Sequence, residues 1–154
     1  MLILALDLAT TTGWALHDGV DVTRSGVWRL PKAEPAIAYD RLRGQVIDGL
    51  CECKPDLLAY ELVPGSIHKS GDAAHRYGGF EAVVLLECVA SLTRYLGIPI
   101  ATWKREAGVR TGTKDVHALK AARLRWPGVE FKTADEAVAR WVAVAAARKV
   151  AARP

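Results

Sequence analysis

Three acids stand where the sequence gives them no obvious reason to be. Asp7 closes the apolar run MLILALDLA, Glu61 closes a second in PDLLAYELV, and Asp135 opens the segment TADEAVARWVAVAAARKVA. Acids are seldom found inside apolar strands unless something pairs with them. Carboxylates that converge raise one another's pKa, so they stay ionised only beside a cation, and an all-oxygen donor set suits Mg²⁺ or Mn²⁺. Two such ions, about 3.5–4 Å apart, activate a water and stabilise the leaving oxygen of a phosphodiester. Each acid also has a plainer role. Asp7 stands before the threonine-rich turn ATTTG and suits its capping, and Asp135 falls in a first helical turn, where the helix dipole favours negative charge. Glu136, three residues after Thr133, fits a capping box more readily than a metal site.

A sheet is needed to bring these acids together. MLILALDLA reads as a central strand buried on both faces, and GWALHDGVDVTRSGVWRL as two more strands meeting at Asp18-Gly19. Glu34 to Cys53 has helical spacing, PDLLAYELV is the fourth strand, and Asp72 to Leu96 is a long helix in which Gly78, Gly79 and Ala82 permit close packing. IPIATW reads as the fifth strand, and TKDVHALKAARLRW and TADEAVARWVAVAAARKVA as two closing helices. Three antiparallel strands followed by right-handed crossovers give an α/β fold, a mixed five-stranded sheet with helices on both faces, the ribonuclease H-like arrangement. In it the first and fourth strands run side by side in parallel, so Asp7 and Glu61 meet at their ends while Asp135 approaches from the last helix.

With 154 residues, 51% of them hydrophobic, the chain is expected to form a single domain over 1–154. No run reaches the roughly 18 apolar residues of a membrane span, and the first residues lack a basic leader, so a soluble, cytoplasmic protein is expected. Cys51, Cys53 and Cys88 lack the spacing of a zinc site and read as buried reduced thiols. The segment from Lys104 to Arg125 holds seven bases against two acids, an excess larger than the net +4 of the whole chain. Such a segment suits a polyanionic partner or a solvated helix face.

The motifs ILALDLATTTGWAL, LLAYELV and TADEAVARWVAVA, with WKREAGVRTGTKDVHALKAA between the last two, resemble those of RuvC-type Holliday junction resolvases, in particular the small versions carried by phages. The resemblance spans nearly the whole chain. It implies a Mg²⁺- or Mn²⁺-dependent endonuclease with two ions per site that cuts four-way or branched DNA in a bacterial or phage-infected cell. Asp7, Glu61 and Asp135, with Glu136 as a possible fourth, would hold the metals, and Lys114 would steady the charge developing on the phosphate. Lys104 and Lys114 would contact the DNA backbone near the cut. Arg105 and Arg110 would neutralise further phosphates, and Thr11 and Thr12 would touch the backbone from the turn. The stretch GSIHKSGDAAHRYGG would face the junction centre with Lys69, Arg76 and Tyr77, although an ordinary solvated loop explains it equally well. His68 and His75 read as surface residues. One departure stands out: three residues after Asp135, where the family has a further acid, this chain has Val138.

A four-way junction has near two-fold symmetry, so cutting it symmetrically implies a homodimer. The stripe Val83, Leu86, Val89 and Ala90 is a candidate interface, with packing against the sheet as the simpler explanation. Three rival readings remain at this level. One is a branched-DNA-binding module that has lost cleavage, and another a ribonuclease acting on RNA–DNA hybrids. The third is a fragment of an actin-like ATPase, whose phosphate-binding turn LDLATTTGWAL also resembles.

Overall fold

The computed structural model describes residues 1–32, 34–65, 70–113 and 115–152. Five strands, β1 (Ile3–Asp7), β2 (Thr11–His17), β3 (Val22–Arg29), β4 (Leu57–Leu62) and β5 (Arg94–Pro99), form one sheet in the order β3-β2-β1-β4-β5. The first three are an antiparallel meander, and β4 and β5 add in parallel. Helices α1 (Pro35–Cys53) and α2 (Gly71–Ala90) cover one face. The other face carries α3 (Ile100–Glu106), α4 (Asp115–Arg125) and α5 (Ala134–Ala151). This is the ribonuclease H-like arrangement that the element order predicts.

β1 is buried at every position, and alternate side chains serve different cores. Ile3 and Ala5 pack with Leu57 and Ala59 of β4 beneath α5, whereas Leu4 and Leu6 pack with Leu58 and Tyr60 beneath α1 and α2. An apolar run without alternation is what such two-sided burial requires. α1 and α2 approach closely at Gly79, where an added Cβ would stand 2.2 Å from Cζ of Tyr39. Of the three cysteines only Cys88 is buried; Cys51 is exposed and Cys53 half-buried.

The fifth strand differs from the expected IPIATW. β5 is Arg94–Pro99, and Ile100 begins α3 rather than continuing the strand. The cause is the end of α2, which stops before Leu96. Leu92 turns left-handed at φ 55°, the Thr93 amide donates to the Cys88 carbonyl at 2.9 Å, and the Leu92 amide donates to Val89 at 3.2 Å. That pair of bonds is a Schellman ending. It occurs here without the glycine that normally signals it, so sequence spacing carries the helix too far and the strand too late.

Candidate active site

Parallel pairing of β1 and β4 in the register Leu6 to Tyr60 places Asp7 beside Glu61. Both follow the alternation that points Ile3, Ala5, Leu57 and Ala59 toward α5, so both carboxyls emerge on that face. Across the other edge of β1, Asp7 pairs with Gly13 of β2. A Cβ on Gly13 would lie 2.0 Å from the backbone oxygen of Asp135. Only glycine lets the first turn of α5 settle onto the sheet here, and that close seat sets Asp135 over the end of β1. Thr133 caps α5 by accepting the Glu136 amide at 3.2 Å.

The electrostatics follow from this crowding. Asp7 is only 9% exposed, and burial, the charges of Glu61 and Asp135 and a hydrogen bond with Glu61 hold its pKa well above the ordinary carboxylate range. Burial also raises Glu61, opposed by the Trp103 indole, which donates to its Oε1 at 2.7 Å, and by the charge of Lys104. Asp135 is raised by burial too, with the Thr133 hydroxyl and the charge of Arg29 working the other way. An acid from outside the expected set, Asp115 at the start of α4, adds repulsion to all three. The donor atoms are all oxygen and suit a hard divalent cation. Among the described residues no three His, Cys, Asp or Glu side chains stand as a ready-made metal cage, and Asp7 and Glu61 meet through their own hydrogen bond.

Several expected site residues are placed otherwise. Glu136 is 3% exposed and faces away from Asp7: Oε1 accepts from the Ser25 hydroxyl at 2.6 Å and Oε2 from the Lys132 amide at 3.0 Å. With one oxygen on Ser25 of β3 and the other on the Lys132 amide just before α5, it secures the start of that helix where the sequence suggested a metal ligand. Lys104, expected on the DNA backbone, is buried, and its ammonium donates to the Thr113 carbonyl at 2.6 Å. Thr12 is fully buried with its hydroxyl on the Ala9 carbonyl at 2.6 Å, which closes the turn internally and leaves it no group for a phosphate. Tyr77 is buried as well; its hydroxyl donates to the Glu61 carbonyl at 2.5 Å and accepts from the Val63 amide at 3.2 Å. It braces the end of β4 instead of offering a ring to bases. Arg105 and Arg110 are exposed, Thr11 and Arg76 half-buried, and His75 exposed. Lys114, Lys69 and His68 lie outside the described residues.

No protein-family model matches the chain, and no curated protein matches it in sequence. Solved structures do. RuvC of Thermus thermophilus in complex with a Holliday junction substrate superposes with a TM-score of 0.80 at 14% identity, over 99% of this chain and 96% of that one. A second structure of Thermus thermophilus RuvC gives 0.75 at 16% identity, over 100% and 99% of the two chains. The chain has the RuvC-type fold. The yeast mitochondrial Holliday junction resolvase Ydc2 is also similar, with a TM-score of 0.69 at 16% identity over 97% of this chain and 78% of that one. In this chain the threonine turn is closed by the Thr12 hydroxyl, which donates to the Ala9 carbonyl at 2.6 Å.

Three residues around the site were not singled out from sequence. Gly13 had a readable signal, since a glycine inside a strand marks a close backbone approach. Trp103 and Asp115 had none: Trp103 reads as an ordinary core aromatic, and Asp115 as a minority charge in a basic segment. Tyr77 was singled out, but for a contact with DNA and not as the brace of β4 that it forms.

Proposed function

We propose that this chain is a divalent-metal-dependent endonuclease that cuts the phosphodiester backbone of four-way or branched DNA. The observation that carries this reading is the placement of Asp7, Glu61 and Asp135 at one point of the sheet, with Asp7 nine-tenths buried among acids. Burying like charges is costly unless a cation joins them. The likeness in fold to proteins that resolve Holliday junctions supports the choice of substrate.

In this reading Asp7, Glu61 and Asp135 would hold two Mg²⁺ or Mn²⁺ ions, which would supply a nucleophilic water and neutralise the leaving oxygen. Asp7 lies beside Glu61, and its ionisation is opposed by the charges of both other acids. Trp103 fixes one oxygen of Glu61 at 2.7 Å, and Tyr77 fixes the backbone of the same residue. Lys104 acts from inside the protein, through its charge on Glu61 and its hold on Thr113. Arg105, Arg110 and Arg76, with Lys114 and Lys69, contact phosphates, and this affinity falls as salt rises.

Symmetric cutting needs two sites, and a homodimer completes the proposal. Its interface is the outer side of α2 and the adjoining edge of the sheet, where Leu86 is 67% exposed, Val89 60% and Leu92 92%, with Tyr95 beside them. The sequence stripe is thereby divided: Val83 packs half-buried against the core, whereas Leu86, Val89 and Ala90 face outward.

One observation favours a second reading, a junction-binding module without cleavage: Val138 is buried in the core, so α5 brings only Asp135 to the metals. The test is incubation of the purified chain with an end-labelled synthetic four-way junction, a linear duplex and an RNA–DNA hybrid, each with Mg²⁺ and with chelator. Paired cuts at symmetric positions of the junction, only with Mg²⁺, are expected. Junction binding without cutting would transfer support to the binding module, and preferential cutting of the hybrid to a ribonuclease.

A further inference from the structure

The face of the sheet opposite the acids holds a cavity of about 180 Å³ between β2, β3 and the C-terminal half of α1. Trp14 and Trp28 form one side of it, with ring centres 6.4 Å apart and planes inclined by 27°. Gly26, paired with Trp14 across the two strands, leaves the room that this ring occupies: a Cβ there would stand 2.9 Å from Cε2, Cζ2 and Nε1 of the indole. α1 supplies the other side with Asp48 and Glu52, one helical turn apart, and Gly49 between them adds no side chain to the space.

Two features of this cavity serve no purpose in the fold. The first is the state of the indoles. Trp103, Trp126 and Trp141 each donate the ring N–H to an acceptor inside the protein. Among the described residues Trp14 and Trp28 have no such acceptor, although both are half-buried and line the same space. Indole N–H groups withdrawn from water usually find one. The second is charge. Acids four positions apart on a helix repel each other, and among the described residues neither Asp48 nor Glu52 is in an ion pair. The lining holds these two acids and a single base, Arg24, whose guanidinium stands 6.0 Å from the Trp14 ring centre. That contact shows the indole accepting a guanidinium, and the lining as a whole still carries an excess of negative charge.

We propose that this cavity binds a small organic cation, an alkylammonium or alkylguanidinium head group held against the rings of Trp14 and Trp28 and neutralised by Asp48 and Glu52. Aromatic faces attract such cations, the more so where water is excluded. Pockets for drug-sized ligands run from roughly 300 to 1,000 Å³, so a space of about 180 Å³ suits a head group and not a whole cofactor. The cavity and the carboxylates of Asp7 and Glu61 lie on opposite faces of the sheet, and the proposal stands independently of the nuclease reading.

The test is titration of the full chain with choline, with agmatine and with the neutral isostere of choline in which carbon replaces the nitrogen. Binding is followed by the indole N–H signals in proton–nitrogen correlation spectra. Saturable shifts of the Trp14 and Trp28 signals are expected with the cations, with the other three indoles unmoved and no saturation by the neutral isostere. Saturation by only one of the two cations would fix the head group. Trp28→Leu should weaken binding roughly 3- to 30-fold, the worth of one cation–π contact. Asp48→Asn combined with Glu52→Gln, on the exposed side of α1, should weaken it roughly 2- to 20-fold, as loss of two exposed ion pairs does, without lowering the melting temperature. Equal binding of the neutral isostere would make this an apolar cavity and overturn the proposal. So would binding that the acid substitutions leave unchanged, or no saturable binding of either cation.

Discussion

Burial of the Asp7 carboxyl beside Glu61 and under Asp135 works against its ionised form, and the consequence is a pH dependence of stability with a definite sign. A carboxyl whose folded pKa lies above its unfolded value binds more protons in the native state than in the unfolded chain across that interval, so stability falls as pH rises through it. Asp7, Glu61 and Asp135 all shift upward. Without metal, the protein is therefore expected to melt at lower temperature at pH 8 than at pH 5.5. Asp7→Asn should flatten this dependence and raise the melting temperature at pH 8, and Mg²⁺ should raise it for wild type alone. Thermal unfolding followed by circular dichroism, with chelator and with Mg²⁺, checks this; a variant less stable than wild type at pH 8 would contradict it. The same residues were the most legible ones in the sequence, because an acid at the end of an apolar strand is anomalous by type and position. Lys104, Thr12 and Tyr77 were not, since a residue's type does not reveal which way its polar end turns. Each satisfies a backbone group inside the protein that only the folded chain puts within reach.

Between strand and helix, the seat of α5 on β2 sets the geometry of the site. The space for a side chain at Gly13 is filled by the Asp135 carbonyl, backbone against backbone, which cannot move aside by changing rotamer. Gly13→Ala is expected to cost about 1–3 kcal/mol, the usual range for overpacking, which for a chain of this size lowers the melting temperature by roughly 2–4 °C per kcal/mol. It should also lower cleavage more than junction binding, because it displaces Asp135 and leaves the basic residues in place. Binding and cleavage that fall equally would mean that Gly13 supports only the fold. The meander, the parallel return of β4 and the two C-terminal helices were legible from hydrophobic spacing and turn residues. The boundary between α2 and β5 was not, because Leu92 adopts a left-handed conformation that a leucine gives no reason to expect.

Across the whole molecule, the sheet divides the chain into a face that carries the acids and a face whose outer helix leaves Leu86, Val89 and Leu92 uncovered. Specific interfaces bury about 800 Å² per partner, and in the proposed homodimer this apolar side of α2 would form the centre of such a patch. The double substitution Leu86→Glu with Val89→Glu is expected to convert a dimer into a folded monomer, read by light scattering coupled to size exclusion. It should also replace paired cuts in one junction by single nicks. A wild-type chain that is monomeric at tens of micromolar, or a variant that remains dimeric, would contradict this interface. Overall charge gave only a partial guide at this scale: the basic segment from Lys104 to Arg125 includes one lysine that is internal and one acid, Asp115, that acts on the carboxylate cluster. The measurement that bears most directly on the central claim is cleavage of a labelled four-way junction by wild type and Asp7→Asn side by side in Mg²⁺, with junction binding measured on the same samples. The expected result is symmetric paired cutting by wild type and undiminished binding with no cutting by Asp7→Asn. Equal cutting by the two proteins, or none by either, would contradict it.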